Sequence, residues 1–184
     1  MSICEALKYL YTNKLTSVYD GNISYKPKRQ NHFLITPAGI RKHKVTSNHL
    51  VNVKIKGTEL EIEEGKTPSR ELHLHKNILL DADKDIYVVH CHPPNILSYI
   101  TDDIELLTLK EKFPEIPFKI GLNVDYFPAG SQNLALSTYE NLQNNDIVAL
   151  SKHGVVCVSE DLQYALDIIE TLDFYAGVSV NSRK

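Results

Sequence analysis

Hydrophobic and polar positions along the chain follow both helical and strand spacings. Over residues 2–14, apolar side chains recur every three or four positions, which predicts an amphipathic helix. Short apolar or alternating runs then predict a first group of strands at 23–25, 33–36, 50–55 and 59–62. The last two runs flank Gly57 and are expected to form a hairpin.

The second part of the chain alternates between helices and strands. Further helices are predicted at 70–80, 131–142 and 162–176, the first of them with Ser69 as a possible N-cap. Further strands are predicted at 86–89, 118–122, 124–127, 147–150 and 155–158. This order favours an α/β fold, a three-layer α/β/α sandwich. Its central sheet is expected to be mostly antiparallel (mixed), with helices on both faces. We expect residues 1–184 to form a single domain.

Composition narrows the class of protein. Hydrophobic residues make up 42% of the 184 residues, as in an ordinary globular domain. No apolar run approaches the roughly 20 residues that span a bilayer, so no membrane partner is expected. Cys4, Cys91 and Cys157 have no paired spacing, and the first residues lack a signal-peptide pattern. These features predict a cytoplasmic protein without a disulfide framework.

Charge is distributed unevenly. Residues 1–58 carry ten Lys and Arg but only two acidic residues, although the whole chain has a net charge of −3. A locally positive segment can attract an anion, or its charges can be balanced across the folded surface. No basic run is interleaved with aromatic residues, and the pI is about 6.2, so no nucleic-acid partner is expected.

Histidines supply the first candidate chemistry. His90 and His92 end the most apolar strand, and residues two apart in a strand point to the same face. They can therefore converge on one metal ion, with His153 as a third ligand, although such histidines also occur as ordinary buried residues. Three histidines with an open fourth position are typical of catalytic zinc. His73 and His75 have the same spacing but fall in a predicted helix, where they diverge by about 200°.

An acidic residue and several glycine-containing turns are the other candidates for a functional site. Glu71 lies in the first turn of the predicted helix, where the helix dipole favours a carboxylate; near a metal it could act as a general base. The turns at Gly21-Asn22 and Gly39, and the helix start at Ser69, expose backbone N–H groups that suit a phosphate. Each of these turns is a common sequence on its own.

Together these segments resemble the class II (zinc-dependent) aldolase family. That family includes fuculose-phosphate aldolases, ribulose-phosphate epimerases, a methylthioribulose-phosphate dehydratase and the adducin head domain. The likeness covers nearly the whole chain, and residues 124–131 also look like the shorter archaeal aldolases. The matching segments, in the family's order, are 21–24, 35–40, 68–71 with His75, 88–92 and 152–155.

The resemblance implies a role for each matching residue. His90, His92 and His153 match the ligands of one Zn²⁺ per subunit. Glu71 matches the carboxylate that fills the fourth zinc position and then serves as base. His75 matches a histidine of structural role. The segments that match the substrate phosphate pocket contain Gly21, Asn22, Ala38, Gly39, Ser69 and Arg70.

The chain also departs from the family pattern. Tyr19, Ala38 and Arg70 stand where the phosphate pocket usually has hydroxyl residues, and Arg70 could replace them with a charged contact. The family tyrosine that protonates the aldehyde side has no certain counterpart, because Phe118 falls near its position. Tyr126 is the predicted substitute.

The resemblance implies a zinc-dependent aldolase. It would reversibly cleave a ketose 1-phosphate, such as fuculose 1-phosphate, to dihydroxyacetone phosphate and an aldehyde such as lactaldehyde. The assembly would be a homotetramer with active sites at subunit interfaces. A methylthioribulose-1-phosphate dehydratase also carries a Glu at position 71 and remains the nearer alternative. A pentulose-phosphate epimerase would carry Asp there, and a non-catalytic adducin-like module would lack the metal ligands.

Overall fold

The computed structural model describes residues 1–101 and 103–182. One sheet contains the seven strands in the order β4-β3-β2-β1-β5-β7-β6. The strands are β1 (Asn22–Lys26), β2 (His32–Ile35), β3 (Val51–Lys56), β4 (Glu59–Ile62), β5 (Ile86–Cys91), β6 (Ile147–Leu150) and β7 (Gly154–Ser159). The helices are α1 (Ile3–Thr12), α2 (Leu72–Leu80), α3 (Pro94–Ile100), α4 (Leu109–Lys112), α5 (Gln132–Leu142) and α6 (Leu162–Asn181).

Two apolar layers enclose the sheet. Side chains of α1, α3 and α6 pack on one face with Val89 and Cys91 of β5. Side chains of α2 and α5 pack on the other face with Val88. Each strand is paired antiparallel with its neighbours. The predicted α/β/α sandwich is confirmed, and the hairpin around Gly57 is present as β3 and β4. Among the described residues, no helix has both the length and the apolarity needed to cross a bilayer.

The two strands predicted at 118–122 and 124–127 do not form. The backbone of this segment pairs with the sheet only through two single parallel bridges, Ile120 to Ile147 and Val124 to Leu150. Between them, the backbone N–H of Asn123 donates to a carboxylate oxygen of Glu105 at 2.7 Å instead of to the sheet. This side-chain contact interrupts the ladder, so an apolar run alone gave the wrong element.

The helix predicted at 70–80 starts later. Leu72 is its first residue, and Glu71 occupies the N-cap position without a side-chain cap. Ser69 is therefore not the N-cap; its hydroxyl instead accepts a hydrogen bond from the Glu71 N–H at 3.3 Å. Because the Glu71 carboxylate does not cap the helix, it is available to the cavity described next.

Candidate active site

The sheet brings three histidines together at one end of β5 and β7. His90 pairs with Val156 across these strands, and His153 lies in the turn immediately before β7. One ring nitrogen from each of His90, His92 and His153 lies within 4.8 Å of the others. Cys91, between the first two, points to the opposite face and is fully buried there. The predicted convergence of the three histidines is therefore present in the fold.

The ring of His90 has a defined orientation. Its Nδ1 donates to the carbonyl of Val155 at 2.9 Å, which leaves the Nε2 lone pair directed at the cluster. The Nε2 atoms of His90 and His92 are 2.9 Å apart. Backbone contact of this kind fixes the tautomer of a metal-binding histidine. His90 is thus held with a ligand atom facing inward.

Glu71 lies over the same cluster. Its Oε2 is 3.1 Å from His90 Nε2, and its Oε1 is 3.4 Å from His153 Nε2. Burial alone would raise the pKa of this carboxyl, but His90, the Asn22 hydrogen bond and His153 lower it to about 2. Glu71 is therefore ionised at neutral pH in this arrangement.

The donor set fits a divalent metal ion. Burial, followed by the neighbouring histidines, lowers the pKa of His92 to about 3, and burial also lowers that of His153. Both imidazoles are therefore neutral, the form that binds metal. Glu71 Oε1 is buried without a hydrogen-bond partner in the described structure. Three imidazole nitrogens match the three protein ligands typical of a catalytic zinc site, and this carboxylate adds a fourth donor at the position that such sites leave open.

A buried hydrogen-bond chain supports Glu71 from behind. Asn22 Nδ2 donates to Glu71 Oε2 at 2.8 Å, and the Asn22 Oδ1 atom contacts His75 Nε2. The other ring nitrogen of His75 lies 2.6 Å from Ser24 Oγ. Burial lowers the pKa of His75 to about 3, so the ring is neutral. One nitrogen donates to Asn22 and the other accepts from Ser24, which orients the Asn22 amide toward Glu71.

His75 therefore belongs to the support of the site and not to the metal cluster. His73, two residues earlier, is exposed on the other side of α2. This matches the divergence expected for residues two apart in a helix. The sequence could not show what His75 contacts, because both of its partners lie about 50 residues away along the chain.

A cavity of about 530 Å³ opens above the histidines and Glu71. All six residues predicted for the phosphate pocket line it. Among the lining residues that the sequence did not predict is Lys42, which is only 3% exposed. Its sole sequence signal was its place in the basic segment, three residues after Gly39. The lining residues are Tyr19, Asp20, Gly21, Asn22, Ala38, Gly39, Lys42, Ser69, Arg70, Glu71, His92, Ala129 and His153.

The predicted aldehyde-side residue, Tyr126, lies outside this cavity, as does Phe118, which falls near the position of the family tyrosine. Tyr126 is 62% exposed and is not part of the cavity lining within one chain. Phe118 is buried and packs edge-on against Tyr164, with ring centroids 5.9 Å apart. Tyr126 therefore remains a prediction that requires a neighbouring subunit, since its ring faces solvent in the single chain.

The segment that follows His92 is anchored by α6. Asp173 Oδ1 accepts hydrogen bonds from the backbone N–H groups of Asn95 and Ile96, at 2.9 and 3.0 Å. Its Oδ2 accepts from the Asn95 side chain at 2.9 Å. This carboxylate satisfies the first N–H groups of α3, which have no partner within the helix. It thereby fixes the chain directly after a proposed metal ligand.

We expect Asp173→Ala to lower the free energy of unfolding by about 2–4 kcal/mol, because it leaves the buried Ile96 N–H and the partly buried Asn95 N–H without an acceptor. Chemical denaturation measures this loss. Asp167→Ala is the matched control on the exposed side of α6, where the carboxylate only accepts from Gln163. That control should change stability by less than about 0.5 kcal/mol. Equal effects of the two variants would contradict the anchoring role.

Comparison with known proteins places these features in a family. The sequence model of one protein family, the "Class II Aldolase and Adducin N-terminal domain", matches residues 1–180. An L-fuculose phosphate aldolase of Methanocaldococcus jannaschii is 31% identical over 173 residues, covering 93% of this chain and 90% of that protein. A 5-deoxy-D-ribulose 1-phosphate aldolase of Bacillus thuringiensis is 24% identical over 177 residues, covering 93% of this chain and 79% of that protein.

A solved structure agrees on the fold. The sugar-phosphate aldolase of Thermotoga maritima superposes with a TM-score of 0.80 at 24% identity, covering 97% of this chain and 92% of that one. The family resemblance seen in the five sequence motifs is confirmed by these matches, as is the class of enzyme, a class II aldolase. This chain belongs to the class II aldolase and adducin family.

Proposed function

We propose that this protein is a zinc-dependent aldolase that cleaves a ketose 1-phosphate of the fuculose 1-phosphate type. The products would be dihydroxyacetone phosphate and an aldehyde such as lactaldehyde. One observation carries the proposal: Glu71, His92 and His153 line one cavity with the turns at Gly21 and Gly39, and the buried His90 completes the cluster of three histidines. One small sugar bound in this cavity could therefore reach both the proposed metal site and the proposed phosphate turns.

The chemistry divides among the groups lining the cavity. His90, His92 and His153 would hold the Zn²⁺, which supplies Lewis acidity toward the oxygen atoms of the ketose. The turns at Gly21 and Gly39 would bind the phosphate and so orient the reacting end of the sugar.

Glu71 is the proposed general acid and base. Cleavage leaves the electron pair of the broken carbon–carbon bond on the carbon beside the carbonyl, and that carbon then needs a proton. The hydroxyl on the other carbon of that bond loses its proton as the aldehyde forms. Glu71, which is ionised at rest, would take up a proton from this hydroxyl or from solvent and deliver it to the carbon, and it would remove that proton in the synthetic direction. The chain Ser24–His75–Asn22 would keep the carboxylate oriented while the proton moves.

The test pairs metal analysis with product analysis. Purified protein is expected to contain about one Zn²⁺ per chain and to release dihydroxyacetone phosphate from fuculose 1-phosphate or 5-deoxyribulose 1-phosphate. Chelation should abolish this release, and added Zn²⁺ should restore it. A dehydrated diketone formed from methylthioribulose 1-phosphate would instead identify the dehydratase, and an epimerised pentulose phosphate the epimerase. Zn²⁺-loaded protein without turnover on any of these sugars would favour a binding module.

Assembly and location extend this proposal. We infer a homotetramer whose active sites lie at subunit interfaces, supported by the exposure of Tyr126 and Leu122 at 62% and 58%. We also infer a cytoplasmic location, supported by three free cysteines. If Tyr126 serves a neighbouring subunit, mixing inactive Glu71→Gln and Tyr126→Phe subunits should restore some activity. Such complementation would be absent if each chain supplied its own complete site.

A further inference from the structure

Lys42 is a buried cation in the wall of the cavity. It lies in a 3₁₀ turn at 42–44, and its backbone N–H donates to the Val18 carbonyl at 2.9 Å, which fixes the turn. Its side chain runs back beneath the preceding turn, where Nζ donates to the Pro37 carbonyl at 3.3 Å. The residue is 3% exposed and lines the same cavity as Gly39. The ammonium group is therefore inside the protein and beside the proposed phosphate turn.

This ammonium has little compensation from the protein. An ammonium group has three N–H donors, and the Pro37 carbonyl takes one of them. None of the ion pairs formed by the described residues includes Lys42. Burial lowers its pKa, and the more distant charges of Asp20 and Glu71 offset this only in part. A buried charge without a close counter-ion is costly, so the site favours an incoming anion.

The neighbours of Lys42 indicate which anion fits. Gly39 and Ser69 line the same cavity as Lys42, and Arg70 adds a second cation to the cavity wall. His92 and His153 of the metal cluster line the same cavity, as does Glu71. An anion beside Lys42 would therefore be one end of a ligand whose other end reaches Glu71. A small phosphorylated sugar has this shape and charge.

We propose that Lys42 binds the phosphate group of the substrate and supplies its principal counter-charge. This rests on the proposed function, which it deepens by naming the residue that selects a phosphorylated sugar. The pocket thereby discriminates by charge, favouring a phosphate dianion over an uncharged hydroxyl end.

Lys42→Met tests the proposal because it keeps the length of the buried side chain and removes the charge. Lys44→Met is the matched control, an exposed lysine in the same turn. Titration calorimetry of the Zn²⁺-loaded proteins with inorganic phosphate should show about 10- to 100-fold weaker binding for Lys42→Met, the loss expected for one charge-assisted hydrogen bond. Lys44→Met should bind phosphate within about 2-fold of the parent, since exposed charges contribute little.

Kinetics provide the second measurement. KM for the ketose phosphate should rise about 10- to 100-fold in Lys42→Met while kcat changes far less, because the phosphate lies away from the reacting bond. If Lys42→Met loses phosphate binding and Lys44→Met does not, the anion site is supported even when no ketose phosphate is turned over. Absence of turnover in the parent would then contradict the proposed function without contradicting the anion site. Parental phosphate affinity in a folded, metal-loaded Lys42→Met overturns the inference. If that variant does not fold, Lys42→Gln is measured by the same criteria.

Discussion

Replacement of Glu71 by glutamine is expected to lower turnover of the ketose phosphate by about 10²- to 10⁴-fold, the usual contribution of a general acid or base. Glutamine has nearly the same shape and can still accept the hydrogen bond from Asn22 Nδ2. It cannot take up and release a proton at neutral pH. The three histidines are unchanged, so Zn²⁺ should remain bound at the parental stoichiometry. Steady-state kinetics and metal analysis on the same preparation measure both outcomes.

Glu64→Gln is the control for the loss of one carboxylate. Glu64 is exposed in the turn that follows β4, so its replacement should leave kcat and metal content within about 2-fold of the parent. Retention of turnover in a metal-loaded Glu71→Gln protein would show that another group moves the proton. Loss of metal together with activity would instead make Glu71 mainly a ligand.

The metal cluster is the part of the site that sequence spacing predicts best. His90 and His92 follow an apolar run, and the two-residue period of a strand puts them on one face wherever that strand lies in the sheet. Pro93 and Pro94 then stop the strand, which places the pair at its end. The assignment needs no knowledge of distant residues, because His90 lies in β5 and His92 directly follows the last residue of that strand.

The supporting contacts depend on tertiary packing and were therefore not predictable in detail. Asn22 meets both His75 and Glu71 only because β1 pairs with β5 and α2 covers that part of the sheet. Lys42 is buried because its turn folds back on the segment that contains Pro37. A lysine in a basic stretch gives no sign of this, since most lysines are exposed.

The pairing of β1, β5 and β7 joins the proposed phosphate turn to the metal cluster. Asn22 stands opposite His90 in the pairing of β1 with β5, and Val156 stands opposite His90 in the pairing of β5 with β7. The turn before β1 therefore meets the end of β5 directly. A Cβ atom on Gly21 would lie 2.9 Å from the His90 carbonyl oxygen, which shows how closely the two segments approach. The proposed phosphate turn and metal ligands are thus held in one framework.

Gly154→Ala is expected to weaken Zn²⁺ binding by about 10- to 100-fold, the range found when groups that orient metal ligands are changed. Gly154 begins β7, where a Cβ atom would lie 2.5 Å from the Cys91 carbonyl oxygen and 2.7 Å from His92 Cδ2. It would also lie 3.1 Å from His90 Cε1. The contact with the Cys91 carbonyl oxygen can be relieved only by a shift of the backbone, and the contacts with His90 and His92 only if the two imidazoles move. The overpacking should also cost about 1–3 kcal/mol of the free energy of unfolding.

Gly57→Ala separates the effect on the metal from a general loss of stability. Gly57 adopts a φ of +62° in the hairpin between β3 and β4, and no heavy atom lies within 4 Å of the position of an added Cβ. Alanine there should cost about 1–2 kcal/mol through backbone strain alone. Competition with a chromogenic chelator would give the Zn²⁺ affinity of each variant. If Gly154→Ala and Gly57→Ala both bound Zn²⁺ as the parent does, β7 would not hold the imidazoles in place. If only Gly154→Ala bound Zn²⁺ more weakly, the result would show that His90 and His92 stay aligned because residue 154 has no side chain.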